Sequence, residues 1–215
     1  HRLGRLTPQG QLTEFAMGGA AEGAGLAADG DGSLWFARPI SQQVSRMTTA
    51  GVVTDFPVPW ESPYPCAPAS APDGSVLFVD ASALLPPLPQ ILRATPAGAI
   101  TSVAVLPDSP RCTLAVDATG AFWWTLSGAP FGGTPARVCV RRPGELDDCS
   151  ALLLDDSSTL LQLPDRIALD TDGNPWVLVT RGEFTFHDTV ARIEAGLFRN
   201  GFETGDTSYW SAAVP

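Results

Sequence analysis

The chain has 215 residues, 44% of them hydrophobic, and a formal net charge of −10. Its 13 basic residues are all Arg, which excludes a Schiff-base lysine and a phosphate-binding P-loop. An acidic balance of this size argues against nucleic acid or anionic membrane as partner, because both need concentrated positive surface, and no apolar run long enough to span a membrane is present.

The first expected element is a hairpin within residues 1–15, HRLGRL and LTEF around Gly10. It reads as half of a unit that recurs along the chain. Because it starts mid-unit and without Met, we expect the native protein to extend upstream, where any signal peptide would lie. Residues 16–24 are rich in Gly and Ala and lead into 25–59, the first whole unit. A turn followed by bulky apolar residues appears at Asp31-Gly32, Asp73-Gly74, Thr119-Gly120 and Asp172-Gly173, the glycines 42, 46 and 53 residues apart. A second series, Gly10, Gly51, Gly98 and Gly144, runs at intervals of 41, 47 and 46.

Asp-Gly between apolar runs points to a hairpin with a two-residue type I′ turn. Leu26–Ala28 and Leu34–Phe36 form one such hairpin, and Val44–Met47 pairs back with Val53–Phe56 across Gly51, where β-branched and aromatic residues alternate with polar ones. Four short antiparallel strands per period of this length are the signature of a β-propeller blade. The expected fold is all-β: a half blade at 1–15, blades at 25–59, 67–105, 113–154 and 166–195, and a separate tail at 198–215. The last blade offers only three strands, Ile167–Leu169, Trp176–Thr180 and Val190–Ile193, and the opening half blade supplies two. A closed five-bladed ring does not follow from that count, so we expect an incomplete array of about four and a half blades from a larger ring.

The pattern Gly-Leu-Ala-x-x-x-Asp-Gly-x-Leu-Trp-Phe, then Arg-Met-Thr-x-x-Gly-x-Val-Thr-Asp-Phe, resembles the blade repeat of the virginiamycin B lyase-like (streptogramin lyase-like) propellers. Residues 25–59 and Arg5–Phe15 meet it best, the later units more loosely. A propeller repeat identifies a fold far better than an activity. Phe198–Ser211, Phe-x-x-Gly-Phe-Glu-x-Gly-Asp-x-x-x-Trp-Ser, is similar to a C-terminal tail of secreted or surface proteins of Gram-negative bacteria, which implies an extracellular, cell-surface or periplasmic location.

Cys66 and Cys112 both stand eight residues before their blade's turn glycine, so equivalent positions on neighbouring inner strands should bring them together. Cys139 and Cys149 flank Gly144 within one hairpin. We expect bridges Cys66–Cys112 and Cys139–Cys149 and an oxidising compartment; four reduced buried thiols are the alternative.

Connections after the second and fourth strand of each unit are long and variable and should share one face, opposite the glycine turns. Rigid scaffolds place function on loops. That face collects Arg38, Trp60, Glu61, Tyr64, Asp80, Arg111, Arg181 and His187. Trp60 and Tyr64 could stack on a sugar or peptide, or simply pack among the prolines around them. The resemblance implies chemistry in which histidine, acidic residues and a divalent metal such as Mg open an ester-linked macrocycle by elimination at the ring mouth. His187 is the one internal histidine, expected in the loop Arg181–Thr189 with Glu183 and Asp188 near it, and no second histidine maps onto a catalytic set; no motif commits the chain to a metal or other cofactor.

Asp29–Gly32 and Asp170–Gly173 look like the opening of a calcium loop but lack its later ligands, which favours plain hairpin turns. Trp35, Trp123 and Trp176 are expected between blades. Arg5, Arg46 and Arg93 are expected in cross-strand pairs, the first two with Glu14 and Asp55. The leading expectation is an exported binding module presenting its loop face to a small molecule, glycan, peptide or protein. The runner-up is a metal-dependent lyase or lactone-opening enzyme with further catalytic residues upstream, and the third a purely structural surface module.

Overall fold

The computed structural model describes residues 2–17, 23–82, 88–106, 110–127, 136–151, 162–181 and 187–192. These residues form seventeen strands and no helix, and the chain divides into two compact units, 1–105 and 106–215. The expected tail and Glu183 lie outside the described residues.

The first unit opens with β1 (Arg2–Leu6) and β2 (Leu12–Ala16), a two-stranded sheet. Two four-stranded antiparallel meanders follow: β3 (Ala24–Ala28), β4 (Leu34–Arg38), β5 (Gln43–Met47) and β6 (Val53–Pro57), then β7 (Pro65–Ser70), β8 (Val76–Asp80), β9 (Gln90–Ala94) and β10 (Ile100–Val105). In the second unit, β11 (Pro110–Val116), β12 (Phe122–Leu126), β13 (Arg137–Arg141) and β14 (Asp148–Ala151) form another meander. β15 (Gln162–Leu169), β16 (Pro175–Arg181) and β17 (His187–Arg192) form a three-stranded sheet. Within each unit the first strands of consecutive sheets lie against one another, β3 on β7 and β11 on β15, which is the packing of propeller blades.

Every glycine turn is built alike, and differently from the expected two-residue type I′ turn. In the first, Gly32 N donates to the Asp29 carbonyl at 3.2 Å and Asp29 N donates to the Ser33 carbonyl at 2.9 Å. Only the glycine is left-handed, at φ 83° for Gly32, while Asp31 is not. This is a type I turn closed by a glycine bulge, the three-residue loop that needs positive φ once rather than twice. The residue three before the glycine completes it through its side chain. Thr7, Thr48 and Thr95 Oγ1 accept the amides of Gln11, Val52 and Ala99, and Asp29, Asp117 and Asp170 Oδ1 accept those of Ser33, Ala121 and Asn174.

Alternation along each strand sends one row of side chains forward and the next row back. Trp35, Ala37 and Val44 face the following sheet and pack with Val76, Phe78, Leu92 and Ala94. Trp35 stacks on Phe56 at 5.3 Å and meets Phe78 edge-on at 6.2 Å. Phe36 and Met47 face the preceding hairpin and pack with Leu3, Phe15 and Val53. In the second unit Trp123, Val138 and Val140 close on Val177 and Val179. Trp35 and Trp123 are buried as expected, but Trp176 is 40% exposed. It carries the same role in the last described sheet, where no further described sheet lies against it.

Two other expectations are corrected. Arg46 does not pair with Asp55 across the strand: its partner residue there is Thr54, and its guanidinium reaches back to Asp29, with Nε to Oδ2 at 2.8 Å, and to Asp31. Arg93 likewise pairs with Asp73 and donates to Ser75 Oγ at 3.0 Å. Glu14 takes Arg2, at 2.6 Å, while Arg5 sits over the Phe15 ring. The reason is directional, since Arg46 shares a row with Trp35 and faces the turn between β3 and β4, whereas Asp55 lies on the opposite side of the sheet. His187 is also not a loop residue; it begins β17 in register with Arg181.

Candidate ligand-binding face

One end of the first unit gathers the ends of β4, β6 and β8 and the starts of β5, β7 and β9, with the connections 39–42, 58–64 and 81–89 between them. Arg38 closes β4 and is buried. Its Nη1 lies 3.4 Å from Asp55 Oδ1, its Nη2 donates to the Met17 carbonyl, and its guanidinium sits 5.5 Å from the Phe36 ring centre. Asp55 Oδ1 also accepts Ser45 Oγ at 2.5 Å. The charge is therefore spent inside the sheet, as a buried guanidinium requires.

Asp80 closes β8 at the equivalent place and is fully buried. Its Oδ1 accepts the amides of Tyr64 at 2.9 Å and Ser82 at 3.2 Å, and its Oδ2 accepts Gln90 Nε2 at 3.4 Å. One carboxylate thus ties both neighbouring connections to the sheet and sets the position of Tyr64, which remains 48% exposed. Trp60 is half-buried against the Trp35–Phe78 core, and Glu61 is exposed. The same end exposes Ile40, at 75%, and Leu88.

Sequence reasoning found Arg38, Trp60, Tyr64 and Asp80 but missed Ile40 and Leu88, and it missed Ser45, Asp55 and Gln90 as the groups that hold the two charges. A signal for Gln90 was present. Gln43 and Gln90 both begin the third strand of their sheets, directly opposite Arg38 and Asp80.

In the second unit Arg111 is half-buried in β11 next to Cys112. Behind it, Thr113 and Thr125 are buried with their hydroxyls 2.6 Å apart, and they hold a register shift between Pro110 and Leu114. The other first strands shift at the corresponding place, between Ala24 and Leu26, Cys66 and Ala69, and Pro164 and Arg166. Bulges of this kind re-aim a strand at its rim. Arg181 and His187 face each other across β16 and β17 in backbone register. Among the described residues no three His, Cys, Asp or Glu side chains are grouped to hold a metal ion. The described side chains thus do not supply a complete donor set for the divalent metal that the resemblance implies.

At the opposite end, the two aspartate-rich turns are capped rather than ligating. Asp29 Oδ2 accepts Trp35 Nε1 at 2.9 Å together with Arg46, and Asp170 Oδ2 accepts Trp176 Nε1 at 3.0 Å. The Trp176 indole and the Asn174 amide hold the Asp170 carboxyl down at about 2.

Cys139 and Cys149 face each other on β13 and β14 and are bridged, as the hairpin reading expects. Cys66 and Cys112 are disulfide-bonded too, so the chain holds two disulfides and no free thiol.

Comparison with known proteins agrees with this architecture. The Virginiamycin B lyase family model matches residues 1–130, from β1 through β12. A virginiamycin B lyase of Nocardia farcinica (strain IFM 10152) is 37% identical over 75 residues, which are 34% of this chain and 26% of that protein. A catalytically inactive virginiamycin B lyase from Staphylococcus aureus, solved with quinupristin, superposes with a TM-score of 0.64 at 16% identity, covering 90% of this chain and 64% of that one. A gluconolactonase from Xanthomonas campestris superposes with a TM-score of 0.59 at 18% identity, covering 87% of this chain and 67% of that one. The chain thus spans about a quarter of the Nocardia protein and under two thirds of the solved lyase. The repeated blade, its turns and the family match together show that this chain belongs to the virginiamycin B lyase family.

Proposed function

We propose that the chain is an exported ligand-binding propeller segment whose loop end takes a small molecule, peptide or glycan through apolar and aromatic contacts. The observation that carries this is the division of labour at the loop end of the first unit. Arg38 and Asp80 are engaged internally, while Ile40, Tyr64 and Leu88 stand exposed around them. Apolar and aromatic side chains on a pre-formed rim, with polar groups fixing the loops, are what a binding face needs. Two disulfides support export, because such bridges persist in oxidising compartments.

Peptide and glycan arrays probed with the full chain test it. Capture that Tyr64→Ala and Ile40→Asp each weaken about tenfold supports the reading, as expected for rim contacts. Capture that both variants leave unchanged would refute it.

A second reading is a metal-dependent lyase or lactone-opening enzyme, favoured by family membership and by the likeness to a gluconolactonase. In it His187 and Glu183 are the candidate acid/base pair and Mg the candidate metal; His187 lies beyond the residues matched by the family model. Incubation with quinupristin or a sugar lactone plus Mg, followed by chromatography, separates the two. Metal-dependent conversion that His187→Ala abolishes establishes the enzyme, and unconverted substrate leaves the binding reading standing.

A further inference from the structure

The repeat defines two kinds of sheet face. A forward face is built like Trp35, Val44 and Phe56, and a rear face like Phe36, Met47 and Val53; each sheet's forward row packs on the next sheet's rear row. In the opening hairpin the forward positions are Leu3 and Phe15, which cover Met47 and Phe36. Its rear positions, equivalent to Met47 and Val53, are Leu6 and Leu12. They are a direct cross-strand pair and are 68% and 65% exposed, against 3% for Met47.

The three-stranded sheet shows the converse. Its rear residues Val177 and Val179 are buried against Trp123 and Val138. Its forward Trp176 is exposed, yet the indole is pinned to Asp170 in the way that Trp35 is pinned to Asp29, so the ring already holds the packing orientation. Large apolar side chains fixed in place and left open mark an interaction surface.

We propose that these faces are an interface between copies of this chain, the Trp176 face of one molecule seating on the Leu6–Leu12 face of the next. The occupant follows from the repeat. What covers each equivalent rear row in the described residues is a forward row of a blade, and this chain exposes one of each kind. The contact is heterologous, head to tail, so it leaves a free forward face and a free rear face on every pair and allows growth beyond a dimer.

Analytical ultracentrifugation of the full disulfide-bonded chain tests this. The weight-average mass is expected to rise with concentration past twice that of the chain. Trp176→Glu alone, and Leu6→Glu with Leu12→Glu, each retain one intact face and should be monomeric, and their equimolar mixture should form a 1:1 dimer and nothing larger. Leu6→Ser with Leu12→Ser is the milder substitution, and an unchanged far-UV spectrum confirms folding. Wild-type chain that stays monomeric throughout, variants that still self-associate, or a mixture that stays monomeric would each overturn the proposal.

Discussion

At the residue scale, several glycines do more than turn the chain. Gly98 is left-handed at φ 87°, and a Cβ added there would run into the Phe56 ring of the preceding sheet; Gly51 stands under Phe15 in the same way. The glycine therefore meets two demands, positive φ and a seat for a neighbour's phenyl group. Gly98→Ala is expected to cost about 2 kcal/mol or more, combining backbone strain with overpacking. In a Phe56→Ala background the same change should cost only about 1 kcal/mol, because the steric part is gone; urea denaturation of the four proteins measures the coupling. Asp170 gives a prediction in pH. Its folded carboxyl titrates at about 2, below the ordinary carboxylate value, so its contribution is complete above roughly pH 4 and is lost as pH falls towards 2. Thermal melts across that range should fall less steeply in Asp170→Asn than in wild type.

At the scale of elements, one turn design serves both hairpin series, with Thr or Asp three residues before the glycine supplying the missing acceptor. Asp117 Oδ1 takes the amides of Thr119 and Ala121 and the Thr119 hydroxyl. Asp117→Ala should destabilise by about 1–2 kcal/mol, measurable as a lower denaturation midpoint with unchanged slope. The outer strand β14 is only four residues long and is held to β13 by Cys139–Cys149 across a sequence separation of 10. Replacing both cysteines by Ser should cost about 2–3 kcal/mol, the loop-closure entropy for a ring of that size. Native-state hydrogen exchange should then show β14 losing protection before β12 does.

At the scale of the whole molecule, blade number and boundaries were legible because a glycine at each turn and apolar alternation between turns are local demands, each satisfied within a few residues of chain. The two interleaved glycine series, the pairing of Cys139 with Cys149 and the burial of Trp35 and Trp123 were readable for that reason. The partners of the charged side chains were not. Arg46 was assigned to Asp55 from sequence proximity across one hairpin, but which side of a sheet a residue faces, and what stands three strands or one blade away, is set only when sheets stack. The same holds for the candidate site. Sequence placed Arg38, Tyr64 and Asp80 on one end, and tertiary packing decided that the two charges turn inward while Ile40, Tyr64 and Leu88 remain outside. A turn is chosen by the backbone freedom of one residue; burial is chosen by which neighbour arrives, and that is settled by contacts between residues far apart in the chain.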